Sequence, residues 1–215
     1  MRSLIVMLLA CALATTAANA QSPAPSRTAG APAWAAFEQT WAGITAYSAT
    51  VTVFEREGTQ VQSSVLDYTF RKPSTATVHF TAGVNAGVTV VWNGGNTVVA
   101  HRGSGFVALF KKTFTLHDPE VTTIRGSSID ELSFAAILAH LQATPGTLSQ
   151  TAGPPILGIP TERVTLVATS PIADTGLTSE AIEFAVPTSL PLRILGYTGA
   201  TLVRQIDFSN IKLEP

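Results

Sequence analysis

Side chains that could do chemistry are few in this chain and lie far apart. Its four histidines are His79, His101, His117 and His140. None has a second histidine or a carboxylate at metal-ligand spacing, and no H-E-x-x-H run occurs, so no metal site is expected. His117-Asp118-Pro119 is the most suggestive group. A histidine oriented by a carboxylate is the working base of many hydrolases. The same letters also read as an Asp-Pro turn after a strand, and that reading is the stronger one. Glu55, Glu57, Asp67 and Asp118 could furnish a carboxylate pair, but nothing in their order brings two of them together. Gly103-Ser104-Gly105 lacks the G-x-S-x-G spacing of a nucleophile elbow, and no helix follows it. Gly103, Gly105 and Ala108 match a dinucleotide fingerprint by letter only, because the stretch reads as strand, turn and strand. No P-loop is present. Neither a catalytic residue nor a cofactor is assigned.

The one cysteine is Cys11, and it lies in a segment that reads as an export signal. Arg2 is the basic start, Leu4 to Ala14 the apolar stretch, and Ala18-Asn19-Ala20 the small-residue cleavage site. Residues 1–20 are therefore expected to be a signal peptide that sends the chain to the periplasm or beyond. The apolar run is shorter than the roughly 20 residues of a spanning helix. Cleavage would leave no cysteine, and so no disulfide framework, thiolate metal site or cysteine nucleophile. Leu8-Leu9-Ala10-Cys11 also resembles a lipobox. Lipid attached to Cys11 would anchor the protein to a membrane instead.

Charged residues make up 13% of the chain, against roughly 25% in an ordinary globular domain. The surface must be filled with Thr, Ser, Gly and Ala. A formal net charge of −1 gives no basic face, so nucleic acid is not an expected partner. Arg71-Lys72 and Lys111-Lys112 are isolated pairs that read as solvated strand ends.

The elements that must position any site are mostly strands. Residues 21–33 are a Pro/Ala/Ser-rich tether, expected to be disordered. Residues 34–215 fit one domain. Trp34, Phe37, Trp41 and Ile44 form one stripe of a short helix. From Tyr47 to Val53 the period becomes two, the mark of a half-buried strand. Further strands are expected over 61–72, where Pro73 stops the ladder, and over 75–80. Residues 88–92 and 97–101 flank Asn93-Gly94-Gly95-Asn96, a hairpin signal. A short pair follows over 106–110 and 113–116. Ser128-Ile129-Asp130-Glu131 is a capping box that opens a helix with the stripe Leu132, Phe134, Ile137, Leu138 and Leu141. Pro145-Gly146 ends it, and a Pro/Gly-rich loop is expected as far as Pro160. Strands over 163–168, 181–186, 192–197 and 201–213 complete the chain. The sum is a mainly β, α+β domain of about ten antiparallel strands and two or three helices. Consecutive hairpins with helices grouped outside them imply one strongly curved sheet whose concave apolar face the helices cover.

Several of these segments resemble a known group. They are Ile44-Thr45-Ala46-Tyr47-Ser48-Ala49, Phe70-Arg71-Lys72-Pro73, Val90-Val91-Trp92-Asn93-Gly94-Gly95 with Val98-Val99-Ala100-His101, and Leu190-Pro191-Leu192-Arg193 with Tyr197-Thr198-Gly199. In this order, behind an export signal, they resemble the periplasmic lipoprotein-carrier superfamily of LolA, LolB and their relatives. Tyr47 with Phe54-Glu55-Arg56-Glu57-Gly58 resembles the first hairpin of a less characterised branch of it. The resemblance implies an unclosed antiparallel β-barrel, helices plugging its mouth, and a cavity for acyl chains. It also implies a basic residue that tethers the helical lid, just before the proline after the second strand. Here that residue is Lys72, with Arg71 beside it; lysine lacks the donor fork of arginine, and Arg71 faces the other side of the strand.

Tyr47, Val51, Val78, Phe80, Phe110, Leu132 and Phe134 are the candidates for a concave apolar face. The same residues could equally pack as a closed core under the helix. The expected activity is non-enzymatic: binding or carrying a lipid, lipoprotein or other acylated molecule. An envelope sensor or protein-interaction module of the same fold is the alternative, and a hydrolase using His117 and Asp118 a third reading. An acylated partner, an envelope protein and peripheral contact with a membrane are the expected associations.

Overall fold

A computed structural model describes residues 32–103, 111–173 and 175–214. The signal segment, the tether up to Ala31 and the strand expected over 106–110, Phe110 included, lie outside the described residues. Helix α1 (Pro32–Ala42) comes first, followed by β1 (Ala46–Glu57), β2 (Gln60–Arg71), β3 (Thr75–Gly83), β4 (Val88–Trp92), β5 (Thr97–Arg102) and β6 (Lys111–Thr115). A 3₁₀ turn (Ile129–Leu132) and helix α2 (Phe134–Ala143) interrupt the strands. Then come β7 (Gly146–Ile156), β8 (Ile159–Ala168), β9 (Ser179–Ala185), β10 (Pro191–Thr198) and β11 (Thr201–Glu214).

All eleven strands form one antiparallel sheet in the order β6-β5-β4-β3-β2-β1-β11-β10-β9-β8-β7. Two meanders are therefore stitched together by the first and last strands, with Tyr47 opposite Leu213 and Val53 opposite Ile206. Among the described residues β6 and β7 remain edges, so the curved sheet is an unclosed barrel. The chain must pass from one edge to the other, and it does so through residues 116–145. That crossing segment lies over the concave face and carries α2.

The period-two reading holds where it was clearest. In β1 burial alternates from Ala49 to Glu55. Two expectations are corrected. The Pro/Gly-rich stretch before Pro160 is not a loop but β7, paired with β8 from Gly146 opposite Ala168 to Ile156 opposite Ile159. Pro154 and Pro155 are tolerated because β7 is an edge strand, where a missing donor breaks no ladder on the open side. The capping box does not open the long helix directly. The Ser128 backbone N–H donates to Glu131 Oε1 (3.4 Å) at the start of the 3₁₀ turn. Ser133 then caps α2, its Oγ accepting the Ala136 N–H (3.0 Å).

Aromatic rings fill the end of the barrel where β1 begins. Phe134 stacks on Tyr47 with centroids 4.0 Å apart and planes at 7°. Phe37, Trp41 and Phe208 meet Phe134 edge-on at 5.9, 6.0 and 5.6 Å. Phe134 thus joins α1, α2, β1 and β11 in one packing unit, which is why so few helical residues suffice to cover so much sheet. Phe134→Ala should lower unfolding free energy by about 3–5 kcal/mol, measured by urea denaturation with circular dichroism; a loss under about 1 kcal/mol would show that this ring is not central.

Candidate functional site

The site is the concave face of β1–β3 and β9–β11 together with the crossing segment above it. Its far end carries a row of polar side chains at one register position. Gln62 stands opposite Glu55, Glu55 opposite Arg204, Arg204 opposite Gly196 and Gly196 opposite Glu180. Gly196 leaves the gap that lets Arg204 reach across β10. A Cβ there would sit 2.9 Å from Leu177 and 3.2 Å from the Arg204 side chain.

Every polar member of the row holds either the crossing segment or a neighbour that does. Gln62 Oε1 accepts the Ile124 N–H (2.8 Å) and Glu55 Oε2 the Arg125 N–H (3.1 Å). Ser127 Oγ donates to Glu55 Oε1 (3.0 Å) and accepts from Arg204 Nη1 (3.4 Å). Arg204 Nη2 donates to Glu180 Oε1 (2.7 Å), and His140 of α2 bonds the other Glu180 oxygen. Glu131 lies 3.9 Å from Arg204. Nearer α1, the Tyr47 hydroxyl donates to the Leu132 carbonyl and accepts from the Phe134 N–H, both at 3.2 Å. It thereby satisfies the backbone where the 3₁₀ turn gives way to α2. The Tyr68 hydroxyl donates to the Ile129 carbonyl (3.4 Å). Burial pushes both hydroxyls well up from the ordinary tyrosine value, so they act here as neutral donors.

Between these fastenings the floor is apolar and incompletely filled. Val53, Leu66, Val78, Val90 and Ile206 below, and Val121, Ile129 and Leu132 above, enclose a cavity of about 50 Å³. Phe80, Asn85, Val90 and Val121 also line a groove of about 250 Å³ that continues towards β5 and β6. On the other side of the 3₁₀ turn, Ile137, Ile182, Ile194 and Ile206 line a further space of about 250 Å³ beside Arg204, Glu180 and His140.

Of the residues expected on the apolar face, Val78, Phe80 and Leu132 line the first cavity. Tyr47, Val51 and Phe134 are buried in the closed core. Lys72 reaches α1: its Nζ donates to the Trp41 carbonyl (2.7 Å) and lies 4.1 Å from the centre of the Trp41 ring. Arg71 faces outward and pairs with Glu214 (2.8 Å). His117 is exposed on a turn, while Asp118 Oδ1 accepts the Glu120 N–H (2.9 Å), the Asp-Pro turn geometry. Among the other acids considered, Glu57 and Asp67 are exposed and Glu55 joins the polar row.

Arg204, Glu180 and Ser127 escaped the sequence reading, which weighs His140 only as a metal ligand. A signal was present. Glu55 falls in phase with Val51 and Val53, Arg204 with Ile206 and Phe208, and Glu180 with Ile182 and Phe184. A charge in the apolar phase of a strand points inward, where it needs a partner.

The polar row sets a dependence on pH. Burial alone would raise the Glu180 carboxyl, but the bonds from His140 and Arg204 outweigh it and hold the group below the ordinary carboxylate value. A depressed carboxyl contributes stability above its unfolded pKa, lost as pH falls through the folded value. Glu131 shifts the other way, raised chiefly by burial, so a comparison of variants isolates Glu180. Glu180→Gln should be less stable than the parent at pH 7, with the gap closing below about pH 4. Urea midpoints across that range would check this, and a gap independent of pH would contradict it.

No family model matches the chain, and no curated protein matches it. Solved structures do. An uncharacterized conserved protein from Thermus thermophilus is 10% identical, with 85% of this chain and 86% of that one covered and a TM-score of 0.51. Lipoprotein LppX of Mycobacterium tuberculosis is 18% identical, with 86% and 98% covered and a TM-score of 0.48. A LolA superfamily protein from Nitrosomonas europaea is 10% identical, with 85% and 94% covered and a TM-score of 0.42. At these identities the likeness is one of fold.

Proposed function

We propose that this protein binds an apolar chain, belonging to a lipid, a lipoprotein or another acylated molecule, between the concave sheet and the crossing segment. It works by burial alone. The observation that carries this reading is an apolar floor whose cover is fastened largely by hydrogen bonds, with free space left beneath it. Each buried CH₂ is worth roughly 0.8 kcal/mol, so such a chain needs no polar motif.

A cavity of about 50 Å³ is far below the roughly 300 Å³ at which small-molecule pockets begin. Binding therefore requires the crossing segment to shift, joining the cavity to the groove beside it. The export signal over residues 1–20 puts this activity outside the cytoplasm, and a lipid on Cys11 would turn a free carrier into a tethered receptor. A second reading, an envelope sensor or interaction module, is favoured by the closed aromatic packing around Phe134.

Titration with the fluorescent fatty acid cis-parinaric acid tests the first reading. Val121 is half-buried and lines both spaces, so Val121→Trp fills them from the cover side. Affinity should fall by at least about tenfold, the loss expected when two CH₂ groups no longer find room, while the circular dichroism spectrum is kept. Equal affinity in the variant would rule out this location. An empty parent protein that co-purifies with a stoichiometric protein partner would favour the second reading.

A further inference from the structure

A second apolar feature lies away from the concave groove, at the end of the barrel where β11 finishes. Two loops and a strand end converge there: the β7–β8 hairpin, the β9–β10 connection and the last part of β11. They enclose an open groove of about 440 Å³ floored by Ile156, Ile159, Leu190, Leu192 and Ile211. Its rim is unusual. Leu157 is 83% exposed, Leu213 43% and, beside the groove, Val186 55%.

Leu157 is the more telling because its backbone is strained. Ile156 pairs with Ile159, so Leu157 and Gly158 alone form the hairpin turn, with φ of 50° and 79°. Such a turn favours Asn or Gly in its first position, and leucine is a poor occupant. Ser189, in the β9–β10 connection, and Asn210, at the irregularity in the pairing of β11 with β1, also have positive φ. Three of the four described non-glycine residues with positive φ thus surround one groove. Ser189 belongs to a hydrogen-bonded turn, its N–H donating to the Ala185 carbonyl (2.7 Å), and Asn210 to a bulge, so leucine is the outlier of the three, and strain of that kind tends to mark surfaces selected for function.

The chemistry around the groove narrows the partner. Residues 184–192 and 208–211 contain no Asp, Glu, Lys or Arg, and neither do residues 153–161 of the hairpin. They offer a protein partner no charge to pair with. Apolar side chains projecting from a charge-free tip gain most where burial needs no directional partner, at the interface of a bilayer. Lys212 and Glu214 flank Leu213; Glu214 is already paired with Arg71 (2.8 Å), and a lysine at the margin of an apolar patch can bury its stem and leave its ammonium among headgroups.

We infer that this end of the barrel is a membrane-contacting surface, with Leu157 inserted among the acyl chains of a bilayer and the groove behind it receiving a lipid chain. The inference rests on a different face from the concave groove and stands whether or not that groove binds a ligand.

Flotation with phosphatidylcholine vesicles, with and without phosphatidylglycerol, tests it. The protein should float with the vesicles. Leu157→Asn removes the apolar side chain but supplies the residue this turn prefers, so folding is kept and the Tm should be unchanged or higher. Its vesicle partitioning should fall by about tenfold, the loss expected for one leucine no longer buried. A Leu157→Asn protein that floats as well as the parent overturns the assignment of the tip. A parent that floats with neither vesicle overturns the membrane as partner.

Discussion

Arg204 is the constraint on which the rest of the concave face depends. It is buried on β11 at the register position shared by Glu55, Gly196 and Glu180. A buried guanidinium is tolerated only when paired and hydrogen-bonded, and breaking such a pair by removing one partner costs about 3–5 kcal/mol. Its partners are distributed so that the requirement becomes architecture. Glu180 belongs to β9, Ser127 to the crossing segment, and Glu180 in turn holds His140 of α2. Satisfying one cation therefore fixes the distance between two strands and the height of the segment above them. Gly196 is part of the same solution, since any side chain there would occupy the path of the arginine.

The contrast between the two ends of the barrel follows from this. Near α1 the cover is packed, ring against ring, around Phe134 and Tyr47. At the far end it is held by the Ile124 and Arg125 amides and the Ser127 hydroxyl, which donate to Gln62 and Glu55. Packed aromatic contacts resist displacement through many small contributions. A hydrogen-bonded strap releases when a few bonds exchange with water, at a net cost of about 1 kcal/mol for the bond to Gln62 and about 1.5–3 kcal/mol for each bond to the Glu55 carboxylate. The loose end is also the end with free space beneath it, which makes the crossing segment a cover hinged at Phe134 and latched at the polar row.

Much of the fold was legible in the sequence because alternation is a local property. Tyr47 to Val53, Val88 to Trp92 and the Asn-Gly hairpin each announce themselves within a few residues. β7 was missed because Pro154 and Pro155 argue against a strand, and only the sheet order shows that they lie on an edge. The 3₁₀ turn was missed because its break from α2 is stabilised by the Tyr47 hydroxyl, a group 85 residues away from Leu132 in the chain. Of the site, the apolar residues were readable as a set, but cavity and core were not separable: Val78 lines a void and Val51 does not, though both alternate identically. The polar row was written as charges in apolar phase, yet its pairing depends on register between β1, β9 and β11, which no local pattern specifies.

The central claim is that an apolar chain enters by releasing the latch. The amides of Ile124 and Arg125 report on it directly, because they donate to Gln62 and Glu55 across the gap. Hydrogen exchange of these two amides, with and without saturating palmitoyl lysophosphatidylcholine, is the decisive measurement. If the latch opens, their protection falls when the ligand binds while that of Val51 and Val53 in β1 does not change. Ligand binding with the protection of Ile124 and Arg125 unchanged would contradict it.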